Sequence, residues 1–116
     1  MTTEQTVPTF YANVYMGMRE GYSNKLHYLS EARPIIEKFC NERKVGVTVT
    51  ETYFTYVDGS EPGFIVGFIN YPRFPSSEYD ILSKAKDLGL ILGKAFKQER
   101  FSIVTPSSTR MYEDFQ

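Results

Sequence analysis

The period of the apolar residues switches repeatedly along this 116-residue chain, and the order of the switches constrains the fold more than any single motif. From Thr9 onward, Phe10, Ala12, Val14, Met16 and Met18 alternate with Tyr11, Asn13, Tyr15 and Gly17, the pattern of a strand with one buried face. That strand should end at Arg19-Glu20-Gly21, where Gly21 permits a turn. Tyr22, Leu26, Leu29, Ile36, Phe39 and Cys40 then follow helical spacing, with Ser23, Asn24 or Ser30 as candidate caps. Pro34 is comfortable only in a first turn, so the spacing predicts a regular helix from about Glu31 to Arg43 after a looser turn.

Period two returns with Val45, Val47, Val49 and Glu51 and continues through Tyr53-Phe54-Thr55-Tyr56. The run from Val57 to Gly63 is dense in turn formers, and Phe64, Ile65, Val66, Phe68 and Ile69 supply a return strand. Residues 45 to 70 therefore read as a β-hairpin. Pro72 and Pro75 exclude regular structure in YPRFPSS. Ser76 or Ser77 suits an N-cap, with Asp80 completing a capping-box-like pattern from Ser77. Ile81, Leu82, Ala85, Leu88, Ile91, Leu92, Ala95 and Phe96 then mark a helix that ends near Lys97. Phe101, Ile103 and Val104 begin a last strand, Pro106-Ser107-Ser108 breaks it, and Met111-Tyr112 resumes pairing.

The order β-α-β-β-α-β with short links predicts an α+β, ferredoxin-like sandwich: an antiparallel sheet with two helices on one face. Its length fits a single domain over 9–116, preceded by a polar N-terminal arm over 1–8 that is expected to be flexible. The second sheet face has no cover. On it Tyr and Phe join Thr and Asn, among nine Tyr and nine Phe in all, which predicts that copies of the chain associate through that face.

Composition excludes several chemistries. One Cys (Cys40) and one His (His27) cannot build a four-ligand zinc site. A nucleophilic pair between them is disfavoured, because the intervening predicted helix holds them apart; the simple expectation is a half-buried thiol and a surface imidazole. With 13 Lys+Arg against 14 Asp+Glu, there is no basic excess to attract nucleic acid. The segment ERFSIVT lacks the basic-glycine-aromatic signature of RNA-binding sheets, and Gly17 and Gly21 do not form a phosphate loop. No apolar run approaches membrane-spanning length, the start MTTEQTVPTF lacks a signal peptide's basic and apolar regions, and a lone cysteine suits a reducing compartment. A cytoplasmic protein is expected.

The most informative stretch is Tyr56-Val57-Asp58-Gly59-Ser60-Glu61-Pro62-Gly63-Phe64, followed downstream by Ala85, Leu88, Ala95, Gln98-Glu99, Ile103-Val104 and Thr109. Together with the topology it resembles the bacteriophage S-adenosylmethionine lyase family, historically called hydrolases. Tyr56 and Glu61 stand where that family's hairpin carries Tyr and Glu, and Gln98-Glu99 fits its Gln-Glu strand entry. Phe54 and Asp58 replace the family's glycines, and Gly63 its serine. The resemblance implies a homotrimer, similar in shape to PII-type signalling proteins, with intersubunit sites. It implies cleavage of S-adenosylmethionine to methylthioadenosine and homoserine lactone without a metal or cofactor, in an anti-restriction role. Glu61 is the implied catalytic group; Tyr53, Tyr56, Ser107, Ser108 and Thr109 are implied substrate contacts. The alternative is a non-catalytic module of PII-like shape that binds a ligand or inhibits a host protein.

Overall fold

The computed structural model describes all residues, 1–116. Its elements are β1 (Tyr11–Gly17), α1 (Leu29–Arg43), β2 (Thr48–Tyr56), β3 (Gly59–Ile69), α2 (Glu78–Ala95), β4 (Arg100–Val104) and β5 (Thr109–Glu113). The five strands form one antiparallel sheet in the order β2-β3-β1-β4-β5. The first four strands have the ferredoxin-like arrangement. The segment expected to resume pairing at Met111-Tyr112 is a full edge strand.

The alternation read in the sequence becomes a division between faces. Ala12, Val14 and Met16 of β1, Phe64, Val66 and Phe68 of β3, and Phe101 and Ile103 of β4 all point to the helix layer and are buried. They meet Ala32, Ile36 and Phe39 from α1 and Ile81, Ala85, Leu88 and Leu92 from α2. Gly89 lets α2 pack against Phe101 of the sheet: a Cβ there would collide with the Phe101 ring. Asn13, Tyr15 and Gly17 face the uncovered side, with Ile65, Gly67 and Ser102 paired beside them.

Three boundaries differ from expectation, each for a local reason. Helix α1 begins at Leu29, two residues before Glu31, and Pro34 lies inside it. Neither Ser23, Asn24 nor Ser30 caps it. Instead the Glu31 carboxylate accepts the Tyr28 backbone N–H, half of a capping box, which fixes the first turn. Strand β2 begins at Thr48 rather than Val45. The largest change is at the hairpin. Tyr56 pairs directly with Gly59, so the turn is only Val57-Asp58, with Asp58 at φ 59°. Ser60 to Gly63, turn formers by composition, are strand residues because β2 pairs with them throughout and β1 reaches Gly63.

Ser77 caps α2 as expected, its hydroxyl accepting the Asp80 N–H at 3.1 Å. Residues 1–8 carry no regular structure; the Asn70 side chain donates to the Pro8 carbonyl at 2.8 Å. No helix is long and apolar enough to cross a membrane.

Candidate functional site

The two-residue turn decides which side chains of the hairpin meet. Cross-strand partners share a face, so Phe54 lies beside Glu61 and Tyr56 beside Gly59 on the uncovered side. The same parity puts Tyr53, paired with Pro62, on the opposite face, where it is 73% exposed because the helix layer does not reach that far. Ser107, Ser108 and Thr109 form the β4–β5 turn, at the end of β4 away from Arg100. There Ser108 bonds to Thr105 through its hydroxyl (3.2 Å) and its backbone N–H (3.1 Å). Of the residues singled out in the sequence, the fold brings Tyr56 and Glu61 together and sets the other four apart from them within one protomer.

Around that pair the uncovered face opens into a cleft of about 460 Å³. Its walls come from β1 (Tyr15, Gly17), the hairpin (Phe54, Tyr56, Glu61), the loop after β1 (Arg19, Tyr22), and the approach to β4 (Gln98, Glu99, Arg100). Tyr15 and Phe54 form a tilted aromatic pair with centroids 6.3 Å apart. Beside them the lining is charged, with Glu61 and Glu99 against Arg19 and Arg100. The Tyr22 hydroxyl facing Arg100, and then the Glu113 carboxylate at 3.5 Å, favour the charged guanidinium and push its pKa up.

Gly17 is the floor. A Cβ there would meet the Gln98 side-chain carbonyl at 2.5 Å and the Glu61 carboxylate at 3.7 Å, so both oxygens converge on the space glycine leaves. Gln98 is buried, and its amide nitrogen, Nε2, donates to the carbonyls of Arg19 (2.7 Å) and Phe96 (3.1 Å). Both of its N–H groups being engaged, Oε1 is left as a fixed acceptor toward the cleft. Gly17→Ala should therefore destabilise the fold by about 1–3 kcal/mol, the usual cost of a one-methyl overpack. Thermal unfolding measures it; an unchanged melting temperature would mean that the Gln98 side chain gives way.

Chemically, two carboxylates and an amide oxygen next to aromatic faces suit an organic cation with several N–H donors, and the guanidinium groups suit its carboxylate. Cys40 is outside the cleft, half-buried against the core, and burial pushes its thiol pKa up, away from nucleophilic use. His27 is not the surface imidazole expected: its side chain is 11% exposed, bonded to Glu20 and Glu31 and stacked on Phe96.

Sequence reading reached Gln98 and Glu99 only through the resemblance, and missed Tyr15, Gly17, Arg19, Tyr22, Phe54 and Arg100 as lining. Strand parity was the available signal for Tyr15, Gly17 and Phe54. For Arg19 and Tyr22 there was none, because their positions depend on a loop closed by long-range bonds.

No protein-family model matches the chain, and no curated protein matches it in sequence. In three dimensions it is similar to a phage SAM lyase in complex with S-methyl-5′-thioadenosine, with a TM-score of 0.76 and 15% identity over 98% of this chain and 96% of the other. It is similar also to a phage SAM lyase in the apo state, with a TM-score of 0.81 and 14% identity over 98% and 97%. The chain has the fold of those enzymes over its full length.

Proposed function

We propose that this protein is an S-adenosylmethionine lyase that forms methylthioadenosine and homoserine lactone. The observation that carries the reading is the cleft itself. It sets Glu61 and the Gln98 acceptor beside an aromatic wall, on a fold that a lyase solved with methylthioadenosine shares. The substrate carries its own nucleophile and leaving group. One oxygen of its carboxylate attacks its γ-carbon; the bond from that carbon to sulfur breaks, and the electron pair stays on sulfur as a neutral thioether. The ammonium remains on the lactone, so charge balances and no proton need move.

Such a reaction asks the protein for conformation more than for acid or base. Folding the flexible amino-acid tail so that oxygen approaches carbon opposite the sulfur is an orientation effect, which can lower a barrier by several kcal/mol. In this reading Glu61 holds the ammonium. A carboxylate and a cation about 4 Å apart attract by roughly 4 kcal/mol at an effective dielectric of 20. Tyr56 and its aromatic neighbours give the adenine a surface to stack on and the sulfonium a π-face. Tyr53, Ser107, Ser108 and Thr109 reach substrate in this reading only across a subunit boundary. The working form is thus proposed to be a homotrimer, with the uncovered aromatic face buried between subunits. No metal or cofactor enters the scheme. Acting in a host cytoplasm, it would deplete the methyl donor on which restriction–modification systems depend.

Incubation of the purified protein with S-adenosylmethionine, with separation of the products by chromatography, tests the proposal. Methylthioadenosine and homoserine lactone in equal amounts are expected; saturable binding without turnover would favour the non-catalytic module instead.

A further inference from the structure

Between β1 and α1 the chain makes a closed loop, residues 18 to 28, and two of its residues, Arg19 and Tyr22, overhang the cleft. The two limbs of this loop are tied down differently. The outgoing limb is fixed by bonds that hold at any ordinary pH: Gln98 Nε2 to the Arg19 carbonyl at 2.7 Å, and the Gly21 N–H to the Lys97 carbonyl at 3.2 Å. At the tip Gly21 takes φ 54°, a conformation glycine adopts without strain. The returning limb pairs with the outgoing one through the Glu20 N–H to the Lys25 carbonyl (2.8 Å) and the His27 N–H to the Met18 carbonyl (2.7 Å). Its one side-chain anchor in the protein body is His27.

The imidazole lies flat on the Phe96 ring, centroids 4.7 Å apart and planes 16° apart. Its Nε2 is 3.0 Å from Glu20 on the outgoing limb, and its Nδ1 is 3.4 Å from Glu31 in the first turn of α1. A carboxylate can only accept, so the two contacts are hydrogen bonds together when both ring nitrogens carry a proton, as in imidazolium. Neutral imidazole would turn a lone pair toward one carboxylate.

We propose that His27 is a positioning residue of the site: as imidazolium it clasps the returning limb to Glu20 and Glu31, and so holds the loop tip that carries Tyr22 over the cleft. As a role in the lyase reaction this rests on the function proposed above; as a statement about the loop it does not.

The groups facing the clasp from each packed element keep its two carboxylates charged. Lys25 on the loop and Lys97 beyond α2 both approach Glu20, at 3.6 and 3.7 Å. Burial raises the Glu20 pKa, but the His27 bond and the two lysines outweigh it, and the group ends below its ordinary 4.5. The Tyr28 backbone N–H, partly offset by burial and aided by His27, also holds Glu31 below its ordinary value. Lowered folded-state values place their contribution to the clasp above the ordinary carboxylate range, to be lost as pH falls through the lowered values.

The chain has no tryptophan, so Asn24→Trp, at the exposed loop tip, introduces a single fluorescent reporter. Its anisotropy should fall as the pH is lowered through the depressed titration of Glu20 and Glu31, which discharges the clasp. In Asn24→Trp combined with His27→Gln the step should vanish and the low value persist throughout, with unchanged far-ultraviolet circular dichroism. Should that double variant not fold, Asn24→Trp with Glu20→Gln removes one carboxylate charge and should shrink the step. In otherwise native protein, His27→Gln should weaken methylthioadenosine binding about tenfold, as for a loop competent one-tenth of the time, with a smaller change in kcat than in KM. A reporter that ignores pH with His27 present, or the same step without His27, overturns the clasp. A His27-dependent step in a protein that neither binds methylthioadenosine nor cleaves S-adenosylmethionine supports the clasp and sinks the lyase reading.

Discussion

Glu61→Gln should lower kcat/KM for S-adenosylmethionine about 100- to 1000-fold, because removing one partner of a desolvated charge pair costs about 2–5 kcal/mol. The fold should survive the change. Glu61 takes part in none of the ion pairs of the chain, and glutamine keeps its size and its place beside Phe54. The informative readout is therefore the division between kcat and KM at an unchanged melting temperature. A carboxylate that only captures the ammonium would raise KM and leave kcat. One that also holds the tail in its cyclising shape would lower kcat as well. Product formation at the native rate, by chromatography, would remove Glu61 from the site and with it the role proposed for the hairpin.

The largest effect on stability is expected from Phe96→Ala. Phe96 is 1% exposed, meets Phe64 edge-on with centroids 5.7 Å apart, and carries the His27 ring on its other side. Truncating a buried Phe costs about 3–5 kcal/mol, against about 5–15 kcal/mol for a whole domain. The melting temperature should fall by about 10–20 °C for a chain of this size. Thermal unfolding followed by circular dichroism measures this. Since the platform under His27 is lost too, residues 18 to 28 should exchange their amide protons faster even well below the transition. A loss of stability without faster exchange there would mean that the loop does not depend on the ring.

Periodicity revealed the order of elements wherever one face of an element is buried. Ala12, Val14 and Met16 in β1, or Ile81, Ala85 and Leu88 in α2, leave no choice of period. It was less informative at β2, whose residues are largely exposed on both faces and which stays a strand through pairing with β3. Local propensity misled at two places. Pro34 argued for a later helix start, yet Glu31 reaching back to Tyr28 and the burial of Ala32 hold the turn before it. Asp58-Gly59-Ser60-Glu61-Pro62-Gly63 reads as a long turn, yet only Asp58 takes the left-handed conformation and the remainder is drawn into the ladder. That second misreading bears on which hairpin residues share a face. Tyr56 and Glu61 were named from a motif, but Tyr53 could be set apart from them only by the register. The loop over the cleft was illegible because Gln98, Lys97, Glu31 and Phe96, which fix it, are remote or of ordinary type in the sequence.

The shortness of the Val57-Asp58 connection also bears on how a chain of this design can vary over time. Because side chains alternate, one residue drawn into the ladder at the tip would bring a different neighbour opposite Glu61 and turn either it or Phe54 to the far side of the sheet. Two residues would merely lengthen the hairpin. An added residue that stays in the loop, as in a three-residue hairpin connection, leaves the register set by β1 and spares the cleft; only one drawn into the ladder reverses it.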